Sequence, residues 1–161
     1  QRATSACPTT WKAGITEMAR FFFYGTLLDA DVMALVIGRR LSPAAFAPAI
    51  LSGHSRRRAK GATYPVVIPD PGDEVRGMVV GGLTARDVAR LAAYEGPGYR
   101  VAALKVWISG RLTTVSVFEP VVARLQPSEA PWDYAVWRGR HKRPFVARLR
   151  RALRARQELR A

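Results

Sequence analysis

Cysteine is almost absent from this chain. Cys7 stands alone, so no internal disulfide can staple the fold, and a reducing compartment is expected. Histidine is nearly as scarce: His54 and His141 are the only two, and neither sits at the spacing of a zinc site, so no metal is expected. Acidic residues are few as well. Twelve Asp plus Glu against 26 Lys plus Arg leave a formal charge of +14, which favours anionic ligands by long-range attraction. No apolar run approaches the ~18 residues of a membrane span, and the first residues carry no apolar core of a secretory signal. A cytoplasmic protein with no membrane partner is therefore expected. Internal repeats and low-complexity segments are also missing.

What is present suits one globular domain: 161 residues, 48% of them hydrophobic and 24% charged. Residues 1–17 mix Ser5, Pro8, Thr9, Thr10 and Gly14 without a period and read as a flexible extension, with Met18 a candidate native start. Residues 18–161 read as a single domain ending in a basic helix. There Phe145, Leu149 and Leu153 recur at four-residue spacing and turn an apolar side inward, leaving the arginines to water.

The stretch Phe21-Phe22-Phe23-Tyr24-Gly25-Thr26-Leu27-Leu28 organises the rest. Three consecutive aromatic residues before Tyr24 cannot alternate between core and water, so Arg20 to Tyr24 predicts a strand buried on both faces. Gly25 then ends it with a turn whose backbone a ligand can approach closely. The amides of Gly25, Thr26 and Leu27 can there point at an anion without any cationic side chain. Asp29 caps a short helix carrying Val32, Leu35 and Val36, with Gly38 at its end. Pro43 and Pro48 punctuate a connection into Ala49-Ile50-Leu51. Tyr64 to Ile68 and Glu74 to Leu83 are strand-like and separated by the turn Asp70-Pro71-Gly72-Asp73, while Gly77, Gly81 and Gly82 mark bulges or close backbone approach. Thr84 and Asp87 form a variant capping box opening a helix whose inward stripe is Val88, Leu91 and Ala92. Tyr99 to Ile108 and Arg111 to Phe118 make a hairpin about Ser109-Gly110. Pro120 to Pro131 reads as a loop, and from Trp132 the chain is helical, with Pro144 a break or kink. Strands scattered around helices without strict alternation predict an α+β fold, a small, mostly antiparallel β-barrel flanked by helices.

Seven residues beyond Val88, the inward stripe reaches Glu95. A carboxylate on the core side, at a helix C-terminus whose carbonyl dipoles disfavour negative charge, has its pKa pushed up toward the range of a general base. The plain alternatives are that the helix frays by Tyr94 and Glu95 swings into solvent, or that Glu95 pairs with Arg100.

Phe-Tyr-Gly-Thr-Leu at 23 to 27, Gly-Ala-Thr-Tyr-Pro at 61 to 65, the Gly77 strand, Leu-Thr-Ala at 83 to 85, Tyr94-Glu95-Gly96 with Tyr99-Arg100, and Trp132-Asp133-Tyr134 together resemble the gamma-glutamylcyclotransferase-like superfamily, in its avirulence-induced-gene-type branch. The resemblance covers roughly Arg20 to Phe145. It implies a small β-barrel flanked by helices, a cavity with the Tyr24 to Leu27 loop as its floor and Tyr99 at its side, and Glu95 as general base. The implied reaction converts a γ-glutamyl amide into 5-oxoproline and a free amine without metal or cofactor. Related members usually carry an acidic residue just before the tyrosine matching Tyr99, where this chain has Pro97-Gly98.

Two readings follow: a γ-glutamyl cyclotransferase acting on a small γ-glutamyl substrate, or a non-catalytic small-molecule binding or regulatory protein using the same cavity. Other clusters read as structural. His54 with Arg56, Arg57 and Arg58 suits a solvated edge strand, and His141 an exposed helix face. Trp107, Trp132 and Trp137 suit the core. Cys7 precedes the fold and is no nucleophile. The basic tail lacks interleaved aromatics, so nucleic acid is not expected as a partner.

Overall fold

The structure, a computed structural model, describes residues 19–120 and 126–161. The extension expected at residues 1–17, Cys7 and the candidate start Met18 lie outside the described residues. Six strands and four α-helices make a mixed α+β fold, in the order β1 (Ala19–Phe23), α1 (Ala30–Ile37), β2 (Phe46–Ala59), β3 (Pro65–Leu83), α2 (Ala85–Glu95), β4 (Tyr99–Ile108), β5 (Arg111–Pro120), β6 (Pro127–Pro131), α3 (Tyr134–Arg140) and α4 (Lys142–Glu158). The sheet runs β3-β1-β5-β4-β2-β6, and β2 also pairs with β3, so it curves back on itself. Closure is uneven. The β2–β3 and β4–β5 ladders are long, whereas β1–β5 and β2–β4 meet at one residue pair each, Phe21 with Ser116 and Ile50 with Trp107. The β1–β5 pairing is parallel and the others antiparallel.

From Phe21 to Phe23 β1 is dry on both faces, as its run of aromatics requires, whereas Arg20 is exposed and Tyr24 lies just past the strand, half-buried. Phe21 and Phe23 pack with Val32, Met33, Leu91, Trp132 and Trp137 beneath the helices. Phe22 turns the other way, onto Leu51, Val75, Val79, Val106 and Val115 inside the curve of the sheet. Gly77 on β3 exists to let β1 this close: a Cβ there would lie 2.6 Å from the Phe22 ring, and it would also overlap the Phe23 carbonyl. Gly81-Gly82 supply the expected bulge, two residues facing the single Arg20 between the pairs Ala19–Leu83 and Phe21–Val80, with Gly82 at φ 70°.

Helix ends follow their local signals. Asp29 caps α1 by accepting from the Asp31 and Val32 amides, and Gly38 closes it at φ 78°. Thr84 and Asp87 make a reciprocal capping box on α2. Ser109 and Gly110, both at positive φ, turn the β4–β5 hairpin.

Several expectations need correction. Ser52 to Gly61 is mostly the second half of β2, paired with β3 on one side and β6 on the other, so the arginine cluster is not on an edge strand. The two segments either side of Asp70-Pro71-Gly72-Asp73 are one long strand, β3, and those four residues bulge between the pairs Ser52–Glu74 and His54–Pro69. The loop expected from Pro120 to Pro131 contains β6; residues 121–125 lie outside the described residues. The C-terminal helices break at His141, not at Pro144, which sits in the first turn of α4 where a missing N–H costs nothing. Trp107 is 42% exposed, Ala92 is exposed on α2, and His141 is half-buried.

Gly77→Ala is expected to destabilise the fold by about 2 kcal/mol, roughly 5 °C in Tm, because the contact it meets is backbone and a packed ring. Gly98→Ala, with open space around it, is expected to stay within about 0.5 kcal/mol of the parent. Thermal unfolding of both variants checks the pair, and equal Tm values would refute the account of Gly77.

Candidate active site

The site is assembled at the ends of three elements: β1, α2 and β4. α2 is anchored at its start by the capping box and by Arg39, which forms an ion pair with buried Asp87 at 2.5 Å and holds its carboxyl below the ordinary range. Arg90 adds a hydrogen bond to the Ile37 carbonyl at the end of α1. With the helix so placed, Leu91 is buried, Val88 is half-buried, and the stripe continues into half-buried Tyr94 and Glu95. α2 does not fray: it is helical through Glu95 and closes at Gly96, φ 88°.

Glu95 therefore stays at the inner edge of the helix end. Arg100, the expected alternative partner, pairs with Glu119 at 2.6 Å, and among the described residues Glu95 has no ion pair. Burial pushes its pKa from an ordinary 4.5 to about 7. The Glu95 carboxylate also opposes ionisation of three tyrosines, so its charge reaches all three. Burial, then Glu95, raise Tyr99 to about 12; burial, with Glu95 adding to it, raises Tyr94 to about 12 against its hydrogen bond with Thr26; Tyr24 is raised too, by burial first and then by Tyr99 and Glu95. These hydroxyls remain protonated at neutral pH and can act as hydrogen-bond donors.

The glycine turn joins the same cluster. Thr26 Oγ1 and Tyr94 Oη lie 2.8 Å apart, linking the turn to the end of α2. Residues Thr26 to Leu28 form one 3₁₀ turn, in which Leu28 N–H donates to Gly25 O at 2.9 Å and Asp29 N–H to Thr26 O at 3.1 Å. The amides of Gly25, Thr26 and Leu27 are those that the start of such a turn leaves without a partner inside it. Gly25 has φ −124°, so a positive φ does not explain its glycine. Close approach does: a Cβ would lie 3.2 Å from the Pro65 ring. Pro65 thus lies against the glycine turn.

The glycine turn, which carries Gly25, Thr26 and Leu27, is thus joined to the end of α2 through Tyr94, and the Glu95 charge there reaches Tyr24 and Tyr99. A cavity of about 360 Å³ opens beside Gly96, Pro97 and Tyr99, walled by Ala92, Ala93, Val101 and Phe118; of the expected site residues Tyr99 alone lines it, and the Tyr24 to Leu27 loop is not its floor. A larger groove, about 590 Å³, lies between α1 and α4 among Arg39, Arg40, Lys142, Arg143 and Arg150, away from this cluster. Two participants escaped sequence reasoning. Tyr94 enters the sequence analysis as a fraying point and as part of the Tyr94-Glu95-Gly96 motif, with no role of its own. Arg56 was hidden in a run of arginines, yet its Nη1 donates to the Tyr24 carbonyl at 2.9 Å. Among the described residues no group of three or more His, Cys, Asp or Glu is gathered as for a metal, and no helix is long and apolar enough to cross a membrane.

Residues 21–138 match the family described as gamma-glutamyl cyclotransferase, AIG2-like. Among curated relatives, Protein AIG2 C of Arabidopsis thaliana is 29% identical over 134 residues, covering 82% of this chain and 79% of its own. AIG2-like protein D of the same plant is 28% identical over 140 residues, covering 83% and 88%. A solution structure of an Arabidopsis thaliana protein aligns over 96% of this chain and 88% of its own, with TM-score 0.60 and 24% identity. A structure titled gamma-glutamyl cyclotransferase aligns over 70% and 73%, with TM-score 0.54 and 24% identity. The two structural likenesses concern the fold.

The Glu95 pKa has a consequence for stability. Between 4.5 and about 7 the folded protein keeps a proton that the unfolded chain has lost, so stability falls as pH rises through this window and levels off above it. Glu95→Gln removes that slope. The variant is expected to match the parent near pH 4.5 and to exceed it at pH 8 by ~2–3 kcal/mol. Tm measured at both pH values checks this; a variant no more stable at pH 8 would show that Glu95 is not desolvated.

Proposed function

The chain belongs to the gamma-glutamyl cyclotransferase, AIG2-like family, and we propose that it is a γ-glutamyl cyclotransferase using Glu95 as general base. One observation carries the reading: Glu95 is a half-buried carboxylate, without an ion pair among the described residues, at the end of the helix that Tyr94 ties by a 2.8 Å hydrogen bond to Thr26 of the glycine turn. In the proposed reaction the substrate's α-amine attacks its own side-chain carbonyl. Nucleophile and electrophile are tethered, so holding the reactive rotamer supplies much of the rate. Glu95 accepts the proton the amine must lose, and the same proton can leave with the departing amine as its C–N bond breaks. The products are 5-oxoproline and a free amine, and no water, metal or cofactor is consumed.

Amides of the Gly25 to Leu27 turn serve as donors, either to the oxyanion or to the substrate's α-carboxylate. Tyr24 and Tyr99 are assigned to substrate binding, as donors that stay protonated. Glu95 has no neighbouring acid at Pro97-Gly98, so the free amino group relies on Glu95 itself. The substrate is a small γ-glutamyl compound, residues 18–161 act as one domain, and the reaction is placed in the cytoplasm.

Glu95→Gln is expected to lower the rate of 5-oxoproline release at least 10²-fold while the protein stays folded. In the parent, kcat/KM is expected to rise with pH through about 7, because the base works only when deprotonated. Turnover equal to the parent's in the glutamine variant ends the proposal. Binding of γ-glutamyl compounds without release of 5-oxoproline would select the non-catalytic binding protein instead.

A further inference from the structure

Arg56 is the member of this region that neither the mechanism nor its packing accounts for. It stands on β2 opposite Val67 of β3, half-buried, with its guanidinium carbon 5.1 Å from the centre of the Trp132 ring. Nη1 donates to two carbonyls, Tyr24 O at 2.9 Å and Arg76 O at 3.0 Å, tying the end of β1 to β3. Trp132 is itself fixed: its indole N–H donates to Thr63 O at 2.7 Å, and its backbone N–H to Arg56 O at 3.3 Å. Among the described residues no carboxylate forms an ion pair with Arg56, and its buried Nε has no hydrogen-bond partner. Burial disfavours the cation, and the Asp133 carboxylate offsets part of that cost. Stability alone does not explain an arginine here.

What the contact does is set the tilt of one peptide plane. No cis peptide occurs in the described chain, so the Tyr24 C=O and the Gly25 N–H point in opposite directions across a single planar unit. Holding the carbonyl fixes where the amide aims. Gly25 carries no side chain to do so, and its own carbonyl is already engaged by Leu28 N–H. Nor does Arg56 act through charge on the acid, because the Glu95 shift has burial as its cause and no cation offsets it.

We propose that Arg56 is a positioning residue: lying over the Trp132 ring, it clamps the Tyr24 carbonyl and thereby aims the Gly25 amide at the anionic part of the bound γ-glutamyl group. The proposal rests on the cyclotransferase reading of the site. Lysine is a poor substitute, since an ammonium has no flat face to stack on the indole while it donates.

The test compares the parent, Arg56→Lys and Arg56→Met by 5-oxoproline release and by amide NMR of protein labelled with ¹⁵N-glycine, titrated with 5-oxoproline. Arg56→Met is expected to lose roughly 10- to 100-fold in kcat/KM, and Arg56→Lys less, with the pH midpoint near 7 kept in both. The Gly25 amide resonance is expected to move on titration in the parent and to lose that response in Arg56→Met, while Gly110, in the β4–β5 turn, keeps its position. Activity within about twofold of the parent, or an unchanged Gly25 response, overturns the proposal. So does a loss accompanied by movement of Gly110 and a shifted pH midpoint, which would mean general disruption. A parent that releases no 5-oxoproline defeats the cyclotransferase reading, yet the Gly25 response still decides whether Arg56 aims that amide.

Discussion

The constraint on which the rest depends is that Phe21 to Phe23 leave the second half of β1 no face to offer to water. Phe21 and Phe23 are claimed by the layer beneath the helices and Phe22 by the inside of the curved sheet, so the strand is gripped from both sides. A strand gripped in this way has little freedom to slide, because a shift of one residue would exchange the two sets of aromatics. Its end is therefore a fixed point. Tyr24 and the Gly25 turn leave the sheet at a place decided by packing several residues upstream, and Gly77 removes the side chain that would have kept β3 too far away. The candidate site inherits its precision from a hydrophobic contact that takes no part in chemistry.

The features legible in the sequence are those whose cause lies within a few residues. The dry strand, the Asp29 cap, the Thr84–Asp87 box and the Ser109-Gly110 hairpin each depend on neighbours in the chain, and each formed as its local rule requires. Glu95 was legible for the same reason, since helical periodicity places it on the inner stripe. The parts that were missed depend on partners distant in the chain. Arg56 and Arg58 stand in one arginine run, but Trp132 lies over the first and the second is exposed, and nothing in the run separates them. β6 is five residues containing two prolines and was read as loop, because strand propensity is low there; it forms by pairing with β2. Thr26 meets Tyr94 across 68 positions, a contact no short-range pattern announces.

Glu95 and Arg56 carry opposite charges, both partly withdrawn from water, and an ion pair between them would relieve both. The fold gives them no ion pair, one at the end of α2 and the other in the second half of β2 beneath Trp132. The missing pair has a chemical meaning. A guanidinium beside Glu95 would pull its pKa below the ordinary 4.5 instead of letting burial raise it to about 7, and the carboxylate would be a weak base at neutral pH. An unrelieved charge at a helix end tends to unwind that end toward solvent, so the helix has to be held elsewhere. The capping box, the Arg39–Asp87 pair and the Arg90 bond to Ile37 all act on the body and start of α2, while its last turn runs into Gly96-Pro97-Gly98. These contacts are placed where no chemistry occurs, and at the end itself the Thr26–Tyr94 hydrogen bond holds the helix beside a carboxylate that stability alone would have removed.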